Sequence, residues 1–254
     1  MKNFEYVDPK TVSEAINILE QQNSTVKVLA GGTDLFLRMR HRAVMPDVVV
    51  DLKRIPELAV LRYSDQEGLV IGSTVTHGAV AADAAVRQHY GALAAAANWV
   101  GSPQTRHRGT IVGNICNASP AADTAPALLA YRARVVIAGP AGSREVPIED
   151  FFQGPGRTAL GAAEIVTAVT LPPLQGAAGW GYLRRTRTVI DIALISTCVV
   201  MQASNGVCSE VSVGLGAVGP TPLRASQAEA TLRGQRPTAA LVAEAAQRAA
   251  ADAR

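Results

Sequence analysis

Aromatic residues are scarce in this chain, at 4% of 254 residues. A surface that stacks exposed bases would need more of them. Charge of one sign is missing as well. The net charge is +3 and the charged residues are scattered, so binding to nucleic acid is not expected. Cysteine is limited to Cys116, Cys198 and Cys208, far apart and without a C-x-x-C pair. That excludes a disulfide framework and a cysteine-bound metal cluster, and leaves ordinary thiols. His41, His77, His89 and His107 show no metal-like spacing. No segment reaches the roughly 18 continuous apolar residues of a membrane span. The opening MKNFEYVDPKTVSEAI lacks the apolar stretch of a signal peptide. A cytoplasmic chain without membrane insertion is expected, although an exported partner could carry it. A Walker lysine, a G-x-G-x-x-G fingerprint, a Ser-His-Asp set and paired carboxylates are all missing too.

Hydrophobic residues make up 48% of the chain, enough for one large domain or two modest ones. The first fifty residues alternate strand and helix. FEYV is a short strand. Thr11 and Glu14 form a capping box ahead of the helix VSEAINILEQQ. VKVLA is a buried-type strand, Thr33-Asp34 opens the helix LFLRMRHR, and PDVVVDL is the next strand. This β-α-β-α-β order predicts parallel pairing. LVIGS is another strand, and THGAVAADAAVRQHYGALAAAANWV reads as two alanine-rich helices. RARVVIAG, SREVPIEDFF and EIVTAVTLP read as strands of a meander. LQGAAG is a small-residue linker. Beyond it, GYLRRTR, DIALISTCVVMQ and EVSVGLGAVGPTPLRA read as antiparallel strands, with Asn205-Gly206 as a hairpin turn. QAEATLRG and AALVAEAAQRAAADAR are helical.

Two glycine-containing stretches carry the chemistry. In VLAGGTDL, Gly31 and Gly32 lie between a strand and a helix. Glycine there permits positive φ and lets the backbone approach a ligand. The helix start offers unpaired N–H groups to a phosphate, and Thr33 adds a hydroxyl. A Gly-Gly turn can equally be plain loop punctuation. RGTIVGN is a second loop of the same kind, where Gly109 and Gly113 bracket Thr110, Ile111 and Val112, and Asn114 follows. Asp123 can accept hydrogen bonds from a ribose or cap the helix near Thr124. Two such loops suit a pyrophosphate held by backbone amides from both sides, in a dinucleotide bound without a Rossmann glycine signature.

These segments resemble, in order, the FAD-binding subunits of the molybdenum hydroxylases, the group of xanthine dehydrogenase, carbon monoxide dehydrogenase and aldehyde oxidoreductase. They are VLAGGTDLF at 28–36, PDVVVDLKRIPEL at 46–58, IGSTVTHGAV at 71–80 and GSPQTRHRGTIVGNICNASPAADTAPALLA at 101–130. FFQGPGRTAL and EIVTAVTL follow within 151–171, then YLRRTRTVIDIALIS at 182–196 and VGLGAVGPTPLRA at 213–225. Together they cover nearly the whole chain.

The resemblance implies an α+β fold. A two-subdomain FAD-binding domain of the flavin-oxidase (PCMH) type would occupy 1–175, with subdomains of about 1–55 and 56–175. A small C-terminal domain with a three-stranded antiparallel sheet and helices would occupy 176–254. It also implies roles. Val28, Leu29, Ala30, Gly31, Gly32, Thr33, Asp34 and Leu35 would hold the FAD pyrophosphate on one side. Thr110, Ile111, Val112, Gly113 and Asn114 would hold it on the other. Asp123 would contact the ribose or adenine end. Val100 would pack near the flavin or its chain, Ile165 and Val166 around the adenine or flavin portion, and Ile192 at the isoalloxazine ring. Arg184 and Arg187 match basic positions near the flavin edge, or serve a solvated face or an inter-subunit salt bridge.

Two departures stand out. Relatives usually carry Gly-Gly before the asparagine where this chain has Val112-Gly113, so Val112 is expected to be extended or the loop to shift. Relatives also usually continue past the alanine-rich helix with another helical segment, whereas this sequence ends at Arg254. The resemblance implies an electron-transfer flavoprotein subunit, working with a [2Fe-2S] subunit and a molybdopterin-containing large subunit, in a dimer of heterotrimers. A self-contained flavin oxidoreductase and a non-redox nucleotide-binding module are the competing readings.

Overall fold

The computed structural model describes residues 2–21, 25–176 and 178–253. Gln22 of the first expected helix, Ala177 of the LQGAAG linker and Arg254 lie outside the described residues.

The chain opens with β1 (Glu5–Val7), α1 (Val12–Gln21), β2 (Val26–Leu29), α2 (Leu35–Arg40) and β3 (Val48–Asp51). The three strands form a parallel sheet in the order β1-β3-β2. The strand β3 reads VVVD because both of its faces are covered. Val48 and Val50 pack on Ala15 and Ile16 of α1, and Val49 packs on Met39 of α2. The capping box forms: the Glu14 N–H donates to Thr11 Oγ1 at 3.1 Å, and the Glu14 carboxylate accepts from the Lys10 N–H at 2.7 Å.

After two short 3₁₀ turns come β4 (Leu61–Ser64) and β5 (Gly68–Gly72). The alanine-rich stretch then makes three helices, not the two expected: α3 (His77–Ala82), α4 (Ala84–His89) and α5 (Gly91–Trp99). Asp83 divides the first pair. Its backbone is extended, and its carboxylate caps α4 by accepting the Val86 N–H at 2.9 Å. The chain continues with α6 (Pro103–Arg106), α7 (Ile111–Asn117), α8 (Ala125–Ala130), β6 (Arg134–Gly139) and β7 (Gly142–Pro147). The expected strand SREVPIEDFF ends at Pro147, and IEDF is the helical turn α9 (Ile148–Phe151). The short hairpin β8 (Phe152–Gly154) and β9 (Arg157–Thr158) precedes β10 (Ile165–Leu171). An antiparallel sheet of order β4-β5-β10-β6-β7 results, with a large core between it and α5, α7 and α8.

The last part holds β11 (Ala178–Arg185), β12 (Ile195–Ser204), β13 (Val207–Gly216), β14 (Leu223–Arg224), α10 (Ser226–Leu232) and α11 (Ala239–Asp252). Its sheet is antiparallel in chain order, three long strands plus the two-residue edge β14. The Asn205-Gly206 turn has φ of 52° and 76° at its two residues, as a tight hairpin requires. Strand β12 faces two ways. Cys198 and Val200 join the large core of the preceding part, while Val199 and Met201 face the core beneath α10 and α11. The contact is close: a Cβ on Gly214 would overlap the carbonyl oxygen of Pro126 in α8.

Candidate functional site

The two glycine stretches meet. β2 delivers Ala30 to Asp34 to one side of a crossing, and Arg108 and Gly109 approach from the other. A Cβ on Gly31 would clash with the Arg108 carbonyl oxygen and lie 2.8 Å from Gly109 Cα. Gly32 has φ of +80°, a conformation that favours glycine. Gly109 is held by the His77 N–H, which donates to its carbonyl at 2.9 Å, and Thr110 bridges to Thr76. Asn117, at the far end of α7, donates from Nδ2 to Asp34 Oδ1 at 3.3 Å and ties the two sides again.

The second stretch is not a loop throughout. α7 begins at Ile111, and Thr110 caps it by accepting the Gly113 N–H at 2.9 Å. Val112 is therefore neither extended nor displaced. It sits in the first turn of a helix, buried in the large core, where a β-branched residue is tolerated and no positive φ is required. A Cβ on Gly113 would lie 2.9 Å from Thr110 Oγ1, the hydroxyl that caps α7, and would meet nothing else within 4 Å. Asn114 is helical too, and its Oδ1 accepts from Thr124 Oγ1 at 2.8 Å. Among the described residues, the N–H groups of Gly32, Thr33, Asp34 and Leu35 on one side and of Val112 on the other have no acceptor. The crossing thus presents donors without partners, the arrangement an anion completes.

The remaining expected residues fall into three groups. Leu29, Ile111 and Val112 are buried, while Val28, Ala30 and Leu35 are more open. Ile165 lies in the core under the first sheet and Val166 in the large core. Both of these side chains pack against protein, at 3% exposure each. Val100 ends α5 half-buried, its carbonyl accepting from Arg106 Nη1 at 3.2 Å.

The third group centres on Arg184. Its side chain is 3% exposed, and its Nε lies 3.0 Å from Asp123 Oδ1, whose own side chain is 12% exposed. The two atoms are in contact but off the hydrogen-bond axis. Burial pushes the Asp123 carboxyl up to about 6, against the opposing pull of Arg184. Asp123 therefore does not cap α8; its side chain faces Arg184, while its carbonyl accepts from Tyr182 OH at 3.0 Å. Arg187 is separate from this pair. Its side chain is 76% exposed and 2.9 Å from Asp191 Oδ2. Ile192 is 75% exposed, and Val189 and Ile190 beside it are similarly open.

Two participants escape a local reading. Trp99 underlies the Arg184 guanidinium, 5.5 Å from its ring centroid. His77 is buried with Nδ1 unpartnered among the described residues, and burial with Arg106 nearby pushes it down to about 4. It is neutral at ordinary pH. A cleft of about 510 Å³ opens beside the crossing, lined by Gly78, Asn98, Arg106, His107 and Trp180 among others, but by none of the glycines at positions 31, 32, 109 and 113.

Residues 2–174 match the family described as the FAD binding domain in molybdopterin dehydrogenase. The chain belongs to this family. Residues 181–254 match the carbon monoxide dehydrogenase flavoprotein C-terminal domain. The carbon monoxide dehydrogenase medium chain of Hydrogenophaga pseudoflava is 36% identical over 234 residues, 91% of this chain and 80% of that protein. The xanthine dehydrogenase FAD-binding subunit of Escherichia coli O157:H7 is 36% identical over 225 residues, 87% of this chain and 76% of that one. A solved structure of carbon monoxide dehydrogenase from Hydrogenophaga pseudoflava, lacking the Mo-pyranopterin moiety of its molybdenum cofactor, superimposes with a TM-score of 0.95. That comparison covers 99% of this chain and 88% of the other, at 36% identity.

The cofactor of this FAD subunit is FAD, and the crossing fits its anionic centre. The unpartnered amides suit an anionic group, and the glycines keep side chains out of the approach. In the described residues, no group of three or more His, Cys, Asp or Glu side chains is placed to hold a metal ion, and no helix is long and apolar enough to cross a membrane.

Proposed function

We infer that this chain is the electron-transferring FAD subunit of a multi-subunit molybdenum hydroxylase. The observation that carries this reading is the crossing of two glycine stretches with unpartnered amides on both sides. Bound FAD supplies a carrier able to take electrons singly and release them in pairs. The chain's own residues bind and orient it. The backbone from Val28 to Leu35 and from Thr110 to Asn114 holds the pyrophosphate. Asp123, in contact with Arg184, lies on the side of the segment 186–194. Val100 and the segment 186–194, with Ile192, face the isoalloxazine ring and limit water there. The exposed guanidinium of Arg187 favours negative charge at the ring edge.

Three scattered cysteines cannot ligate a pair of [2Fe-2S] clusters, each of which takes four protein ligands. We therefore assign the clusters to a partner subunit and substrate oxidation to a molybdopterin-containing large subunit. A dimer of such heterotrimers in the cytoplasm is the assembly proposed. The FAD domain would span 1–175, in subdomains of about 1–55 and 56–175, followed by a C-terminal domain at 176–254.

The test is co-expression with the neighbouring genes. Purification of the tagged chain should recover an iron–sulfur and a molybdenum protein, and the chain alone should take up FAD yet oxidise no organic substrate. Robust substrate oxidation by the chain alone would overturn the reading.

A further inference from the structure

The segment 186–194 joins β11 to β12 and exposes Val189, Ile190 and Ile192 to solvent. Its internal bonds are few. The Asp191 N–H donates to Thr188 O at 3.2 Å, the Leu194 N–H to Arg185 O at 2.9 Å, and Arg187 pairs with Asp191. All of these stay within the hairpin itself. Among the described residues, one side chain of β11 ties the segment to the body of the protein. Arg184 Nη2 donates to the Asp191 carbonyl, and Nη1 donates to the Trp99 carbonyl at 3.3 Å. The face of the same guanidinium covers the Trp99 ring, and its Nε rests on the Asp123 carboxylate.

We propose that Arg184 is a positioning residue that fixes the segment 186–194 over the flavin-facing side of the site by clamping the Asp191 carbonyl to Trp99 and Asp123. It does not act as a charge on the cofactor. A guanidinium 3% exposed and in contact with a carboxylate has its field largely cancelled locally, and the solvent-exposed guanidinium of this region is that of Arg187, itself paired with Asp191. The planar fork matters because two carbonyl acceptors and one carboxylate contact lie in different directions around one rigid group. An ammonium on a flexible stem can reach one or two of them but not lie flat on the indole. The clamp also explains why the segment can display Val189, Ile190, Ile192 and Leu194 without collapsing onto the nearest core. The inference rests on the reading that this segment faces the flavin.

The experiment is limited proteolysis of the full chain without FAD, using thermolysin, which cuts beside apolar residues. Wild type, R184M and R184K are compared, with far-UV circular dichroism to verify folding. Cleavage within 186–194 should be at least about tenfold faster in R184M, since a clamped segment opens rarely, and R184K should fall between the two. In the FAD-loaded chain, the shoulders on the visible flavin band should blur in R184M and return in R184K. A folded R184M that is cut at the wild-type rate overturns the proposal. If R184M does not fold, W99L carries the test. It removes the stacking face alone, should raise cleavage severalfold, and overturns the proposal if it leaves the rate unchanged. Adding FAD to wild type should slow cleavage. If FAD gives no protection while R184M still accelerates cleavage, the flavin-facing reading fails and the clamp stands.

Discussion

The two ends of the site are built on different principles. The crossing of Gly31 with Arg108 and Gly109 is made of backbone: its selectivity lies in side chains that are missing and in amides left without partners. The Arg184 cluster is made of side chains: a buried ion pair, an indole face and a carbonyl brought together from three distant segments. Backbone donors hold a phosphate at any pH and cannot be tuned. A buried ion pair can be tuned, but it responds to protons and fails if one partner is lost. A dinucleotide site profits from both, with an unvarying grip at its anionic centre and an adjustable one near its reacting end.

The comparison is broken most severely at Gly31. G31V places a branched side chain against the Arg108 carbonyl, and a loss of more than about 3 kcal/mol in stability is expected. Chemical denaturation would measure it, and an unchanged midpoint would show that the crossing is looser than described. Next in size is G113A, which separates binding from folding. Alanine suits a helix better than glycine by about 0.5–1 kcal/mol, which offsets the crowding of the capping Thr110 Oγ1 at 2.9 Å, so the melting temperature should change little. FAD affinity should fall about tenfold, or about 1.4 kcal/mol, because the new methyl crowds Thr110 at the start of α7, where the amides are unpartnered. Titration of the apo-chain with FAD checks this, and full affinity would remove Gly113 from the site. A third effect concerns pH. Burial raises Asp123 from 3.8 to about 6, so the folded chain binds more protons than the unfolded chain between those values. The stability this contributes is complete below about pH 3.8 and lost as pH rises through about 6. D123N should flatten that stretch of the stability–pH curve. An identical slope in wild type and variant would mean that Asp123 is more solvated than its 12% exposure suggests.

The same contrast explains what could be read from the sequence. The crossing announces itself because glycine between a strand and a helix is a local signal, and VLAGGTDL and RGTIVGN each carry one. The parallel sheet was legible from the β-α-β-α-β order of the first fifty residues. The third helix in the alanine-rich stretch was hidden because Asp83 is both a tolerable helix residue and a strong cap, and local pattern does not choose between them. Val112 was misread for a related reason. Its neighbours suggested a loop, while its own burial in the large core decided for a helix. Asp123 and Arg184 could be named as residues of interest but not as partners, since a contact between distant segments leaves no periodicity in either.

Strand β12 carries a consequence for the site that lies some way from it. Its two faces serve separate cores, Cys198 and Val200 on one and Val199 and Met201 on the other. A slip of one residue would send each pair to the wrong side at once, so the alignment of β12 is proof-read from both directions. β11 is zipped to it, with Arg184 opposite Ser196. The guanidinium's address is thus written twice, in the packing of two interiors that never touch it.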